Sequence, residues 1–512
     1  MAAAIALAYP PIIQGGMGVG VSDWVLARAV SLRDQLGVVS GTGIDNVFAR
    51  RLQDGDAGGH LRRAMEAFPF TDAVEEALDK YFNPDGRADD EPYRGVPMYR
   101  QVIDRARERF TILSSFCEVW LAKEGHDGLV GINLLTKVQM PNLPTLYGAM
   151  LAGVDFVLMG AGIPKDIPGA LDNMAAGEPA TLKLDVEGAD RGETHELVFD
   201  PADHPAPEAL ERPRFLAIVS SHTLAMMLAR KASGHVDGFI IEGDVAGGHN
   251  APPRGGGTLN ERGEPVYGER DEADLEKVRE IGRPFWLAGG HGSPEGLQEA
   301  RAVGAHGVQV GTLFAYSNES GFREDLKREI RRDARNGDLD VRTDPVASPT
   351  GFPFKVVQKE NTVSELPVYQ QRQRVCDLGY LRTAYKRDDG RVAYRCPAEP
   401  VSTFVKKGGD VEETEGRKCL CNALFAAIGQ GQRRKDGRTE LPLITSGDHI
   451  HAIRHLAGDD GEGYSAGDVI DYLLGRVEPR DSSSEPTGGE RSAVDEVETV
   501  DPQRKLIEAP VP

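Results

Sequence analysis

Eight short apolar runs divide the first 312 residues of this 512-residue chain, and they constrain its fold more than any other feature. They are rich in β-branched residues, and most of them end in glycine or serine. This pattern is typical of strands that are buried on both faces of a parallel sheet. The runs occupy residues 10–16, 36–41, 128–135, 156–162, 215–221, 238–243, 285–290 and 307–312.

Helical patterns fill several of the gaps between these runs. The segment SDWVLARAVSLRDQ follows the first run, with Ser22 as its predicted N-cap, and SPEGLQEARAVG joins the seventh run to the eighth. Strand and helix alternating eight times predict an α/β fold, a (β/α)8 barrel of the TIM type. A doubly wound open sheet with extra strands is the alternative.

Two gaps are long enough to hold insertions. Residues 45–127 have helical patterns, whereas residues 163–213 contain ATLKLDVEG and THELVFDP, which alternate like the strands of a hairpin. Both insertions would follow barrel strands on the face where barrel chemistry occurs, as a lid or an interface.

The chain is predicted to have three parts. Residues 1–335 form the barrel with its insertions, residues 336–477 form a cysteine-containing C-terminal extension, and residues 478–512 form a disordered tail because they are polar and rich in turn-forming residues.

Composition narrows the range of partners. The formal net charge is −21, with 80 acidic and 59 basic residues, which argues against binding nucleic acid or an anionic membrane. No apolar run is long enough to span a bilayer, and the apolar start lacks a basic leader. Five cysteines in so long a chain do not form a disulfide framework, so we expect a cytoplasmic protein.

Glycines cluster where the predicted strands end. Because all eight strands of a barrel end on one face, these glycines would bring backbone N–H groups close to a bound ligand. Gly289 and Gly290 after the seventh run, with Gly311 and Thr312 after the eighth, predict a phosphate site, since barrel enzymes commonly hold phosphate there. The simpler interpretation is that the glycines only make tight turns.

Six motifs in order suggest a family. They are PPIIQGGMGVGVS, LGVVSGTG, GINLL, EGDVAGGHNAPPRG, FWLAGGHGSPEG and GVQVGTLF. Together they resemble the nitronate monooxygenase family, formerly the 2-nitropropane dioxygenases, and the resemblance covers about residues 8–320. The resemblance implies a (β/α)8 barrel that binds FMN. Flavin-dependent enoyl reductases of fatty acid and polyketide synthesis share the barrel and the GGH element.

The resemblance also implies roles for individual residues. His249 matches the active-site histidine of the family, and Glu242 lies where relatives carry a polar residue at the end of the sixth strand. The implied cofactor-binding residues are Gln14, Gly15, Gly16, Met17, Asn133, Glu242, Ala246, Gly247, Gly248, Gly289, Gly290, Gly311 and Thr312. The chain departs from the family at the end of the fifth strand, where several relatives carry a basic residue and this chain has Ser220, Ser221 and His222. His222 could compensate for the missing basic group.

The expected chemistry centres on His249. An imidazole has an ordinary pKa of about 6.5 and can exchange a proton at neutral pH. The resemblance implies the oxidation of alkyl nitronates or nitroalkanes by O2 to a carbonyl compound and nitrite. Small molecules are the expected partners, and a homodimer is one assembly that the chain could form. The main alternative is an enoyl reductase that uses NAD(P)H. A barrel that binds flavin or phosphate without turnover, and an enzyme acting on phosphosugars or IMP, fit less well.

Four cysteines fall close together in the extension. Cys376, Cys396, Cys419 and Cys421 could hold zinc or an iron–sulfur cluster, but their spacing fits no standard zinc ribbon because the close pair is C-x-C. Free buried thiols, with no metal, are therefore the favoured state. Cys117 is isolated and predicted to be structural, while His291 is expected to be a loop residue near the phosphate glycines.

Overall fold

A ring of eight parallel strands lies at the centre of the structure, a computed structural model that describes residues 9–480. The second to the eighth strands each pair with the next strand in the ring, and the eighth pairs with the first. Backbone hydrogen bonds of 3.0–3.1 Å between Gln14 and Leu36 and between Leu36 and Ile12 join the first strand to the second. The barrel is therefore closed, which confirms the predicted fold and excludes the open sheet. In chain order, the barrel strands are Ile12–Gln14, Gly37–Ser40, Val130–Leu135, Phe156–Gly160, Arg214–Val219, Gly238–Glu242, Phe285–Ala288 and Gly307–Val310.

Side chains alternate between the inside and the outside of this ring, as the period of a strand requires. Ile13, Val38, Leu158, Ile240 and Trp286 belong to one buried cluster that fills the interior. The residues between them face the surrounding helices and join a larger outer core.

Helices cover the outside of the ring. The predicted helix after the first strand begins after Asp23, whose carboxylate accepts hydrogen bonds from the N–H groups of Val25 and Leu26. The prediction of Ser22 as N-cap was wrong, because its hydroxyl instead bonds the Gly15 carbonyl and the Met17 N–H. The barrel helices are Trp24–Ser31, Asn142–Leu151, Ile167–Ala175, His222–Lys231, Leu275–Glu280, Pro294–Ala302, Thr312–Ala315 and Glu324–Asn336.

Both insertions have the predicted structure. Residues 45–127 carry helices Ile44–Gln53, His60–Glu66, Thr71–Tyr81 and Arg105–Lys123. In the second insertion, Ala180–Leu184 and His195–Phe199 pair as an antiparallel hairpin.

The extension is built from short elements. Val341–Asp344 pairs antiparallel with Phe354–Val357. Thr383–Lys386 pairs with Val392–Arg395 and also with Val186–Glu187 of the second insertion. Its helices are Leu366–Gln371, Val401–Lys406, Leu420–Ala427 and Ala466–Leu473.

A second apolar core joins the extension to the barrel. Val19, Val47 and Val138 of the barrel pack with extension residues such as Phe354 and Phe425. The chain through Arg480 consequently forms one compact unit. Apart from residues 478–480, the predicted disordered tail lies outside the described residues, as does the start of the chain. Within the described residues, no helix is long and apolar enough to cross a membrane.

Candidate active site

Polar side chains replace apolar ones in the last inward-facing layer of the barrel, at the carboxyl ends of the strands. Ser40 pairs in register with Asn133, and Ala288 lies in register between Glu242 and Gln309. Alternation from the apolar interior residues below them points Ser40, Asn133, Glu242 and Gln309 inward. This polar layer lies at the end of the barrel where barrel enzymes bind their ligands.

Three atoms of this layer have no hydrogen-bond partner among the described residues. They are Ser40 Oγ, Asn133 Oδ1 and Gln309 Oε1, and all three are buried. A buried polar atom without a partner destabilises the fold by about 1–3 kcal/mol, so such atoms require an explanation. A bound ligand with complementary polar groups would satisfy them.

The end of the first strand closely approaches this layer. The Asn133 amide donates a hydrogen bond of 2.8 Å to the Gly16 carbonyl. A side chain at Gly16 would not fit, because a Cβ atom there would lie 2.3 Å from the Asn133 Cβ. Gly16 thus lets the backbone lie directly beside Asn133.

The predicted phosphate glycines have the geometry of tight turns. Gly289 and Gly290 have φ angles of 84° and 82°, a region that favours glycine. A Cβ on Gly311 would lie 3.5 Å from the Met17 sulfur, so the ends of the first and eighth strands are adjacent. These turns form two walls of a cradle at the rim.

The extension supplies a third wall, Thr445–His449. The Gly447 N–H donates to Thr312 Oγ1 over 3.2 Å, and the Thr445 hydroxyl accepts a 2.9 Å hydrogen bond from the Gly248 N–H. The imidazole of His449 lies beside Gly290. The cradle therefore contains residues more than 130 positions apart in sequence, as the separation of Thr312 from Gly447 shows.

His249 lies between the barrel and the extension. Its Nε2 is 2.7 Å from the hydroxyl of Ser348, and its ring contacts Phe354 edge-on at 4.8 Å between centroids. Burial, with a smaller contribution from the Lys137 ammonium group, lowers the pKa of His249 to about 4. The imidazole is therefore neutral at neutral pH and can accept a proton.

Two charged residues accompany the histidine. Burial alone raises the pKa of Glu242 to about 7, although the residue retains some solvent exposure, as expected for a carboxyl group deep in an open mouth. Lys137 follows the third strand, and its ammonium group lies 4.0 Å from the centre of the Phe352 ring. The site thus combines a neutral imidazole, a carboxyl group that titrates near neutrality and one cation.

The structure brings most of the predicted residues to this rim, with Gln14 as the exception. Gln14 is fully buried and points outward, where its amide bonds Ser22 Oγ and the Val38 N–H. Its side chain therefore joins the first two strands, and only its backbone adjoins the rim. His222 accepts a hydrogen bond from the Asp274 N–H, and burial lowers the pKa of His291.

Several residues of the site were not predicted. Ser40 and Gln309 lie at or next to the ends of strands that had been identified, so their inward direction could have been inferred from the alternation of side chains. Ser348 and the third wall belong to the extension, where no periodic pattern indicated a contact with the barrel. The segment SPTGFPFK had been expected to fold back against the barrel, and the Lys355 N–H bond to the Gly248 carbonyl shows that it does.

A closed parallel barrel with a glycine cradle, unpartnered polar atoms and a histidine at one rim defines a (β/α)8 protein with a ligand site at the carboxyl ends of its strands. The family model described as nitronate monooxygenase matches residues 172–344, which include His249, Gly289, Gly290 and Gly311. This part of the chain is similar to the nitronate monooxygenase family.

Two named relatives match parts of the sequence. A probable nitronate monooxygenase of Staphylococcus haemolyticus is 30% identical over 123 residues, 24% of this chain and 33% of the relative. The (3aS,4S,5R,7aS)-5-hydroxy-7a-methyl-1-oxo-octahydro-1H-indene-4-carboxyl-CoA dehydrogenase of Mycobacterium tuberculosis is 27% identical over 232 residues, 42% of this chain and 60% of the relative. The matches thus span from about a third to three fifths of the lengths of these relatives.

Solved structures resemble the chain only loosely. FabK from Thermotoga maritima aligns over 91% of this chain and 92% of its own, with 16% identity and a TM-score of 0.43. Nitroalkane oxidase from Streptomyces ansochromogenes aligns over 91% of this chain and 95% of its own, with 15% identity and a TM-score of 0.40.

Proposed function

We propose that the protein is an FMN-dependent oxidoreductase that oxidises alkyl nitronates or nitroalkanes with O2 to a carbonyl compound and nitrite. The family match implies a flavin cofactor. The observation that carries the proposal is the set of three buried, unpartnered polar atoms in the inward layer, next to the glycine cradle and the His249 loop.

The residues present fit a flavin mononucleotide. The polar edge of a flavin ring offers groups that would satisfy Ser40, Asn133 and Gln309. The turns at Gly289–Gly290 and Gly311 would hold the phosphate through backbone N–H groups, and Gly447 lies beside them through its bond to Thr312. When bound, the flavin supplies the redox chemistry.

His249 would act as the general base that accepts the proton of the substrate. Ser348 holds Nε2 and leaves Nδ1 to meet the substrate. Because the ring is neutral, it can accept a proton from the carbon next to a nitro group. For a nitronate, which is already an anion, the same ring would orient the substrate by hydrogen bonding.

Lys137 would favour an anionic substrate. Its ammonium group is close enough to lower the pKa of His249, and burial lowers its own pKa. In a partly buried site, the attraction between opposite charges is stronger than in water. A nitronate anion would therefore be drawn toward the His249 side of the mouth.

A second candidate activity is the reduction or dehydrogenation of an acyl thioester. The Mycobacterium tuberculosis relative is named as a carboxyl-CoA dehydrogenase and matches more of this chain than the other named relative does. An enoyl reductase that uses NAD(P)H belongs to the same class of chemistry.

Anaerobic reduction of the bound flavin distinguishes these activities. The cofactor released from purified protein is identified by chromatography against FMN and FAD. The holoprotein is then mixed without oxygen with ethyl nitronate, NADPH or NADH, and its absorbance is followed near 450 nm. We expect FMN and bleaching by the nitronate, with nitrite formed once air is admitted. Bleaching by a nicotinamide alone would instead support the reductase, and a protein that takes up no flavin would refute both.

Substitution of His249 tests its role. We expect His249→Ala to lower kcat/KM for a nitroalkane by about 10²- to 10⁴-fold, the usual contribution of a general base, with flavin content unchanged. Ser348→Ala, which removes only the partner of Nε2, should lower it by about tenfold. His235→Ala, at a largely exposed histidine, is the matched control. An unchanged rate in His249→Ala would remove the histidine from the mechanism.

A further inference from the structure

Four of the five cysteines surround one small cavity in the extension. Cys376, Cys396, Cys419 and Cys421 line it, together with apolar residues that include Pro349 and Leu381. The same four residues pack as one cluster, and no disulfide joins them. The close pair comes from the start of helix Leu420–Ala427, whereas Cys376 and Cys396 come from either side of the Thr383–Arg395 hairpin.

Backbone N–H groups point at these sulfur atoms. The amides of Tyr380 and Leu381 donate to Cys421, and the amide of Ala398 donates to Cys396. Cys419 accepts from the backbone of Asn422 and, over 3.5 Å, from its side-chain amide. Hydrogen bonds of this kind stabilise a thiolate more than a neutral thiol, which is a weak acceptor.

A cation also faces the cysteines. The guanidinium of Arg382 is half-buried, lies in the electrostatic field of Cys376, Cys396 and Cys421, and forms no ion pair with a carboxylate of the described chain. It donates to the carbonyls of Gly379 and Tyr99. A half-buried cation without a carboxylate favours a negative charge nearby, which four neutral thiols do not carry and metal-bound thiolates do.

The arrangement of the four residues distinguishes between metal centres. A single Zn²⁺ binds sulfur at about 2.3 Å, which requires the ligands to converge on one point. In residues 9–480, no group of three or more histidine, cysteine, aspartate or glutamate side chains is placed to hold a single metal ion. The four cysteines instead surround a space, as the ligands of a polynuclear cluster do.

We propose that Cys376, Cys396, Cys419 and Cys421 bind an iron–sulfur cluster. The cavity that they line is the position of the cluster, the backbone amides are the donors to its sulfur ligands, and Arg382 offsets part of its negative charge. This assignment does not depend on the proposed activity, because it concerns residues of the extension alone.

The cluster site lies next to Ser348, the residue that bonds the histidine of the candidate active site. Pro349 lines the cavity, and its neighbour Ser348 forms the 2.7 Å hydrogen bond with His249. Arg417, two residues before Cys419, donates to the Ser348 carbonyl. The metal centre would therefore also fix the segment that holds the imidazole.

Metal analysis of the full chain tests the proposal. The protein is purified without oxygen and reconstituted with ferrous iron and sulfide, and iron, zinc and acid-labile sulfide are measured per chain. We expect iron and sulfide in equal amounts, about two or four of each. A protein that holds neither after reconstitution, or one that holds a single zinc without sulfide, would overturn the assignment.

Cysteine variants identify the ligands. Cys396→Ser and Cys421→Ser should each lose most of the iron, whereas Cys117→Ser, at a buried cysteine in helix Arg105–Lys123, should keep it. Iron retained at the wild-type level in both ligand variants would refute the proposal. A Mössbauer spectrum of the unaltered protein labelled with ⁵⁷Fe tests sulfur coordination even where a variant fails to fold, and a spectrum of iron bound by oxygen and nitrogen would contradict it.

Discussion

The barrel and the extension contribute to the same site in different ways. The barrel holds its residues by a continuous ladder of backbone hydrogen bonds, so their positions follow from strand register. The extension has no helix longer than eight residues among those described, and it reaches the rim with irregular segments such as Thr445–His449. Regular structure thus places the polar layer, whereas irregular structure completes the cradle.

Each region also depends on the other for burial. The extension packs Phe354 and Phe425 against Val19 and Val47 of the barrel, in a core to which both contribute. An ion pair of 2.6 Å between Lys355 and Asp448, with the lysine buried, links the two segments that hold the His249 loop. This dependence implies that the two regions fold as one unit, and the following predictions test it.

Substitutions in the two apolar cores should have the largest effect on stability. Trp286 in the barrel interior and Phe425 in the shared core are both fully buried. We expect Trp286→Ala and Phe425→Ala each to lower the free energy of unfolding by about 3–5 kcal/mol, through lost burial and the cavity left behind. Chemical denaturation followed by circular dichroism should show one transition in both variants. Two separate transitions in Phe425→Ala would show that the extension unfolds independently.

A side chain at Gly447 should separate the extension from the cradle. A Cβ there would lie 3.0 Å from the Val245 carbonyl oxygen and 3.2 Å from Thr312 Oγ1. We expect Gly447→Val to weaken flavin binding by about 10- to 100-fold, or about 1.4–2.7 kcal/mol, measured by fluorescence titration of the apoprotein with FMN. Gly268→Val, at an exposed glycine with open space around it, is the control. Equal affinity in the two variants would exclude the extension from the cradle.

The smallest effect should be the contribution of Glu242 to the pH dependence of the free energy of unfolding. Its folded-state pKa of about 7 lies above the ordinary value of 4.5, so the folded protein binds more protons than the unfolded chain between these values. The wild type therefore loses stability from this group as the pH rises from about 4.5 to 7.

Glu242→Gln removes that dependence. We expect the variant to gain about 1–3 kcal/mol over the wild type at pH 8 and almost nothing at pH 4, in urea denaturation at both values. Glu276→Gln, at an exposed glutamate, is the control. A Glu242→Gln variant that behaves like this control would show that the carboxyl group is fully solvated.

Much of the barrel could be predicted from the sequence. All eight strands and the helical and hairpin insertions lie where the patterns indicated, because a strand buried on both faces needs a continuous apolar run. The N-cap of the first barrel helix was misplaced by one residue, since both Ser22 and Asp23 are good caps. Asp23 is the cap because the Ser22 hydroxyl is already bonded to Gln14 and Gly15. Those residues precede the helix by more than one turn, so its local pattern does not include them.

The sequence by itself determined the order of the strands, the glycines at their ends and the position of His249, because local periodicity and backbone freedom are properties of neighbouring residues. Only the tertiary structure decided that Thr445–His449 closes the cradle, that Ser348 holds His249 and that four cysteines share one cavity. Those contacts join segments about 20 to 200 residues apart in the sequence. The segments have irregular backbone, so no periodic pattern in the sequence predicts which side chains will be in contact.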